Sequence, residues 1–250
     1  MASHGAAHEF PEPISKRKLM LAAAWGVHLY TALGAALGLL AIYFASVGDF
    51  RASFMAMGAA IFIDSSDGPL ARKIKVKVRV PSFDGALLDN IVDYLTYTVA
   101  PVFLMVESGI IPDTRWGLAL ACTVMIASVY GFCQTNAKTD DHFFLGFPNY
   151  WNLVAFYLFC LNVGTAFNVA VLLFLSVMVF VPLKYIYPNR TTAMRPVTLT
   201  FGILWGVITI AMLPALPQVN PLLLWASLSF IGYYFIASAV IQSLAARRTA

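Results

Sequence analysis

Charge is what this sequence has least of. Only 11% of its 250 residues are Asp, Glu, Lys or Arg while 60% are hydrophobic, and ordinary soluble domains carry about a quarter charged residues. With a mean hydropathy of +0.77, water is excluded as the solvent for most of the chain. A sizeable soluble domain is excluded as well, because each membrane-crossing helix takes about 20 apolar residues and apolar segments fill the length. Cysteine is scarce: Cys122, Cys133 and Cys160 lie in apolar stretches, are odd in number and show no metal-ligand spacing, so they read as packing residues. The net charge of +4 could point to nucleic acid. The basic residues flank apolar segments, however, where anionic lipid headgroups are the simpler partner, and nucleic acid is set aside.

What is present is a succession of apolar segments. They predict an all-α integral membrane protein of about eight transmembrane helices, at residues 21–46, 52–73, 86–107, 116–136, 149–163, 166–188, 197–214 and 221–245. Residues 1–20 form a cytoplasmic N-terminal arm and residues 21–250 the transmembrane domain. The Lys16-Arg17-Lys18 start resembles a signal peptide, but the apolar run behind it is too long and further spans follow. Positively charged residues are retained on the cytoplasmic side. Placing both termini in the cytoplasm puts every Lys and Arg inside except Arg51 and Arg115.

Four acidic residues break the pattern. Asp64 and Asp67 fall in the second span and Asp89 and Asp93 in the third, where a carboxylate costs about 2.5–3.5 kcal/mol even on the lenient insertion scale. Spacings of three and four put each pair on one helical face, and consecutive antiparallel helices bring both pairs to the cytoplasmic end. Gly68 and Ala71 flank the first pair, and Gly85 begins the stripe Gly85, Asp89, Asp93. Small residues there admit a backbone or a ligand. Four carboxylates without a His or Cys cluster suit hard cations, Mg²⁺ or Mn²⁺, and two such ions about 3.5–4 Å apart would clamp a diphosphate. Arg72 ends the same helix and offers a bidentate fork to phosphate. Buried polar glue, an ion pathway and a transport site are the alternatives. A transport site belongs near the bilayer midplane on broken helices, whereas this cluster abuts the basic loop Lys73 to Arg79.

The run Asp64-x2-Asp67-Gly68-x2-Ala71-Arg72-x12-Gly85-x3-Asp89-x3-Asp93 resembles the signature of the CDP-alcohol phosphatidyltransferases. The gap of twelve residues from Lys73 to Asp84 is longer than that family's usual one. In this, and in Gly146-Phe147-Pro148-Asn149-Tyr150-Trp151-Asn152, the chain resembles the bacterial phosphatidylcholine synthase branch. The resemblance implies a helical enzyme of the bacterial inner membrane, a homodimer with its active site facing the cytoplasm. Its substrates would be CDP-diacylglycerol and choline, and its cofactors two divalent cations. By position, Asp64, Asp67 and Asp89 would be metal ligands, Asp93 a metal neighbour and the general base, and Asp67, Gly68, Ala71, Arg72 and Gly85 the nucleotide cradle.

Choline carries a quaternary ammonium with no N–H to donate, and aromatic faces recognise such a group. Tyr130, Trp151, Tyr185 and Tyr187 are expected at the cytoplasmic end, where Asp140 and Asp141 add a negative field. An interfacial belt of Trp and Tyr is the other reading of the same residues, and His142 reads as a loop residue. A phosphorylated acceptor would call instead on Lys138, Lys184, Arg190 and Arg195, and a serine carboxylate would also need a cationic partner.

Overall fold

A computed structural model describes residues 14–134, 143–186 and 195–249. The long first helix α1 (Ile14–Ser46) leads through a short turn to α2 (Phe50–Ile74), whose first turn is capped by Asp49 accepting from the Ala52 amide. Lys75 closes α2 in the left-handed conformation, and the one-turn helix α3 (Val76–Arg79) follows. The next helical rod is α4 (Gly85–Asp93), a π-helical stretch at Tyr94–Val99 and α5 (Ala100–Glu107). Asp84 caps it, accepting from the Ala86 and Leu87 amides. Pro101 gives the π turn its reason. It brings no N–H and its ring crowds the carbonyl four residues back, so the preceding turn widens.

The chain continues with α6 (Arg115–Cys133), α7 (Trp151–Leu161), α8 (Thr165–Met178), α9 (Arg195–Met212), a 3₁₀ turn at Leu213–Ala215 and α10 (Pro221–Thr249). Each expected span thus has a helical counterpart, the third being the α4–α5 rod. Among the described residues, four helical stretches are long and apolar enough to cross a membrane: Ile14–Ser46, Arg115–Cys133, Pro196–Ala215 and Pro221–Val240. The chain is a helical membrane protein. α7 has only 11 residues and ends at Asn162 in the left-handed conformation. The span expected over 166–188 is shorter as a helix, because α8 stops at Met178. Pro182 lies four residues on, lacks a donor and disfavours helical geometry at Val181.

A small antiparallel pair departs from the all-α expectation. β1 (Phe143–Leu145) aligns with β2 (Lys184–Ile186), with Phe143 opposite Ile186, Phe144 opposite Tyr185 and Leu145 opposite Lys184. It ties the segment before α7 to the segment after α8.

Close helix approach is built into α1. A Cβ on Gly34 would stand 2.5 Å from Val92 Cγ1, and one on Gly38 would stand 2.7 Å from Leu95 Cγ. This small-x3-small spacing seats α1 against the α4–α5 rod. On its other side α1 packs along α2, where the Ser53 hydroxyl donates to the Ala41 carbonyl at 2.7 Å. The main core lies farther along the rod around Leu104, Met105, Val124, Trp151 and Leu172, leaving the aspartates between α1, α2 and α4 at its edge.

Candidate active site

α2 and α4 bring three of the four expected aspartates together. Carboxylate oxygens of Asp64, Asp89 and Asp93 all lie within 4.8 Å of one another, and each residue is half-buried. Asp89 and Asp93 are one turn apart on α4, and α2 presents Asp64 across from them. At such a separation two carboxylates repel by about 3.5 kcal/mol at an effective dielectric of about 20. A bound hard cation offsets this repulsion, and an all-oxygen donor set is the kind such a cation takes. The residues therefore fit a divalent metal.

Asp67 has a different setting. It is buried one turn beyond Asp64, and the Thr31 hydroxyl of α1 donates to its Oδ2 at 2.7 Å. The neighbouring Tyr30 and Ser66 hydroxyls are 2.8 Å apart, so α1 grips the aspartate-bearing turn of α2 at two points. Arg72 is exposed, with Nη1 3.4 Å from the place a Cβ on Gly68 would occupy. The open face of Gly85 meets protein: His28 Cε1 lies 2.8 Å from a Cβ placed there. The His28 ring itself packs against Phe83, with centroids 4.5 Å apart.

Tyr97 is the functional neighbour that sequence reasoning missed. It is buried in the π-helical stretch, and its hydroxyl donates to Asp64 Oδ2 at 2.8 Å. The signal was available, since the stripe Gly85, Asp89, Asp93 continued by four residues reaches Tyr97. The ring of Tyr150 stands 6.0 Å from that of Tyr97, so an aromatic pair adjoins the carboxylate group.

The aromatic residues expected around choline are differently placed. Tyr130 is 46% exposed and packs on Phe180 with ring centroids 4.7 Å apart. The two line a cavity of about 550 Å³ together with Cys133, Gln134, Leu145 and Gly146. Trp151 corrects the expectation for its position. It is fully buried, its indole N–H donates to the Ser128 hydroxyl at 2.7 Å, and its ring packs on Phe147. Neither face is open to a ligand. Tyr185 takes its place on β2, while Tyr187, Lys138, Asp140, Asp141, His142 and Arg190 lie outside the described residues.

No protein-family model matches the chain. Curated relatives do. A phosphatidylcholine synthase of Legionella pneumophila is 39% identical over 223 residues, covering 86% of this chain and 87% of that protein. The phosphatidylcholine synthase of Legionella bozemanae is 42% identical over 189 residues, with 73% and 87% covered. That of Pseudomonas aeruginosa is 33% identical over 238 residues, with 95% and 94% covered. With the aspartate motif folded into one carboxylate group and this likeness running through most of its length, the chain belongs to the phosphatidylcholine synthase family.

Proposed function

We propose that this chain transfers the phosphatidyl group of CDP-diacylglycerol to choline, giving phosphatidylcholine and CMP. The observation that carries the reading is the three-carboxylate group assembled from α2 and α4, in a chain whose relatives are named phosphatidylcholine synthase. Two divalent cations, Mn²⁺ or Mg²⁺, held by Asp64, Asp67 and Asp89 with Asp93 alongside, would supply charge neutralisation for the diphosphate and the departing CMP. Asp93 takes the proton from the choline hydroxyl, which is a poor nucleophile until a base does so. The choline oxygen bonds to the phosphorus bearing diacylglycerol. The bond from that phosphorus to the bridging oxygen breaks, and CMP leaves with the electron pair. Arg72, beside Gly68 at the end of α2, forks onto phosphate oxygens, and Gly68 and Ala71 give the nucleotide room, whereas the face of Gly85 is taken by His28.

The same reading sets the enzyme in a bacterial inner membrane as a homodimer. Residues 21–250 form the transmembrane domain behind the arm 1–20, with eight spans, both termini in the cytoplasm and the aspartates facing the cytoplasm. The distribution of basic residues supports this orientation. The experiment is incubation of purified protein with CDP-diacylglycerol, Mn²⁺ or Mg²⁺, and choline, serine, glycerol 3-phosphate or inositol in separate reactions. CMP and a new lipid are expected with choline and metal, and neither in excess EDTA. Turnover that persists in EDTA would remove the two-cation reading, and turnover with another acceptor in place of choline would reassign the product.

A further inference from the structure

The corner that leads from β1 into α7, residues 146–152, holds polar atoms that no group among the described residues completes. Asn149 and Asn152 are 5% and 3% exposed, yet Asn149 Oδ1 and Asn152 Nδ2 have no hydrogen-bond partner among the described residues. Buried polar atoms are almost always paired, so these two orphans, three residues apart in the chain, call for a reason, and a ligand that meets the Asn149 oxygen is one.

The corner is firmly held. The Gly146 amide donates to the Leu183 carbonyl at 3.0 Å and the Phe147 amide to the Met178 carbonyl at 2.9 Å. Asn149 adopts a left-handed backbone (φ 56°), and its side-chain amide lies against Gly131 of α6. The next residue is Tyr150, whose ring is 6.0 Å from that of Tyr97, and the Tyr97 hydroxyl donates to Asp64. The corner therefore joins one unmet amide oxygen, one unmet amide N–H, two aromatic rings and one carboxylate of the reacting group.

The Asn149 oxygen and the two rings match a quaternary ammonium, whereas the Asn152 N–H is a donor that such a cation cannot satisfy. The charge of the ammonium is spread over methyl hydrogens, which approach aromatic faces and amide oxygens lacking an N–H partner. A phenol that donates to a carboxylate also has a more electron-rich ring than a free one. Only two methylene groups separate the hydroxyl of choline from its nitrogen, so the faces that hold the ammonium must adjoin the carboxylate that takes the proton.

We propose that this corner is the acceptor subsite, in which Asn149 and Tyr150, with Tyr97 from the adjoining helix, seat the trimethylammonium group of choline. The proposal rests on the transferase reading given above. The test compares wild type with Tyr150→Leu, which keeps apolar bulk without a π face, and Asn149→Gly, which accepts the positive φ without the amide. CMP release is measured against choline, against CDP-diacylglycerol, and with 3,3-dimethylbutan-1-ol, the uncharged isostere of choline, as competitor. The KM for choline should rise about 2- to 30-fold in Tyr150→Leu, with the KM for CDP-diacylglycerol unchanged. The inhibition constant of the isostere should hold, so that preference for the charged ligand falls by the same factor. Tyr150→Phe should retain the preference that Tyr150→Leu loses. Variants that saturate with choline like wild type, or that lose choline and isostere in equal measure, would overturn the subsite. So would a choline defect found in Tyr130→Leu instead of in these variants. Wild type that makes no phosphatidylcholine would sink the transferase reading itself, a result separable from the others because it needs no variant.

Discussion

Substitution of Asp89 by Asn turns the geometry of the carboxylate group into a measurable sign. Asp64, Asp89 and Asp93 have oxygens within 4.8 Å of one another, so Asp89 takes part in two like-charge pairs. At about 3.5 kcal/mol for each, removing its charge relieves up to about 7 kcal/mol of repulsion in the metal-free protein. The same change removes a ligand from the metal-bound protein. Metal at 100 times its Kd stabilises a folded chain by about 2.7 kcal/mol, and a chain of this size shifts about 2–4 °C in Tm for each kcal/mol. Wild type in detergent or nanodiscs should therefore gain about 5–10 °C between EDTA and saturating Mn²⁺. Asp89→Asn should melt at or above wild type in EDTA and gain less than half of that shift at the same Mn²⁺ concentration. Thermal unfolding followed by tryptophan fluorescence reads both numbers. If the variant melts below wild type in EDTA and keeps the full metal shift, Asp89 belongs to the packing of α4 and the electrostatic argument fails.

Asp93→Asn should lower turnover by about 10²- to 10⁴-fold, the usual worth of a general base, while retaining Mn²⁺ and CDP-diacylglycerol binding better than Asp64→Asn or Asp67→Asn; a rate within tenfold of wild type would relocate the base. Thr31→Val leaves the buried Asp67 carboxylate without its 2.7 Å hydroxyl donor and should lower stability by about 1.5–3 kcal/mol, read as a fall in Tm that Thr31→Ser restores. Gly38→Ala places a methyl 2.7 Å from Leu95 Cγ and should cost about 1–3 kcal/mol by overpacking; unaltered thermal stability would mean that α1 does not seat on the α4–α5 rod as described.

The apolar segments were legible because hydropathy integrates over many residues, and the four aspartates because each stands where a charge is expensive. Hydropathy failed where packing decides. The run Val179-Phe180-Val181-Pro182-Leu183 is apolar enough to continue a span, yet α8 ends at Met178 and the chain turns toward β2. Pro182 was the local signal, and it carries no weight in an average. The π-helical stretch at Tyr94–Val99 follows from Pro101, a single residue whose effect on the preceding turn a hydropathy average does not register. Trp151 had the composition of an interfacial anchor and is a core residue, because Ser128 on α6 takes its indole N–H. A single sequence has no means of pairing those two positions. Tyr97 was within reach, since the stripe of Gly85, Asp89 and Asp93 needed only one more step.

The first helix shows why a motif read on two helices requires a third. Asp67 is buried at the α1 interface, and the Thr31 hydroxyl donates to one oxygen of its carboxylate. Gly34 and Gly38, one and two turns farther along α1, admit Val92 and Leu95 from either side of Asp93. α1 thus touches the α2 half of the motif through a hydroxyl and the α4 half through two missing side chains. Hydrogen bonding fixes depth on one side and steric room fixes distance on the other, so the spacing between Asp64 and the pair Asp89 and Asp93 is set by a helix that carries none of them. Changes at Thr31, Gly34 or Gly38 should accordingly alter the carboxylate group without touching a carboxylate, and the Mn²⁺ shift in Tm is the quantity in which they would appear.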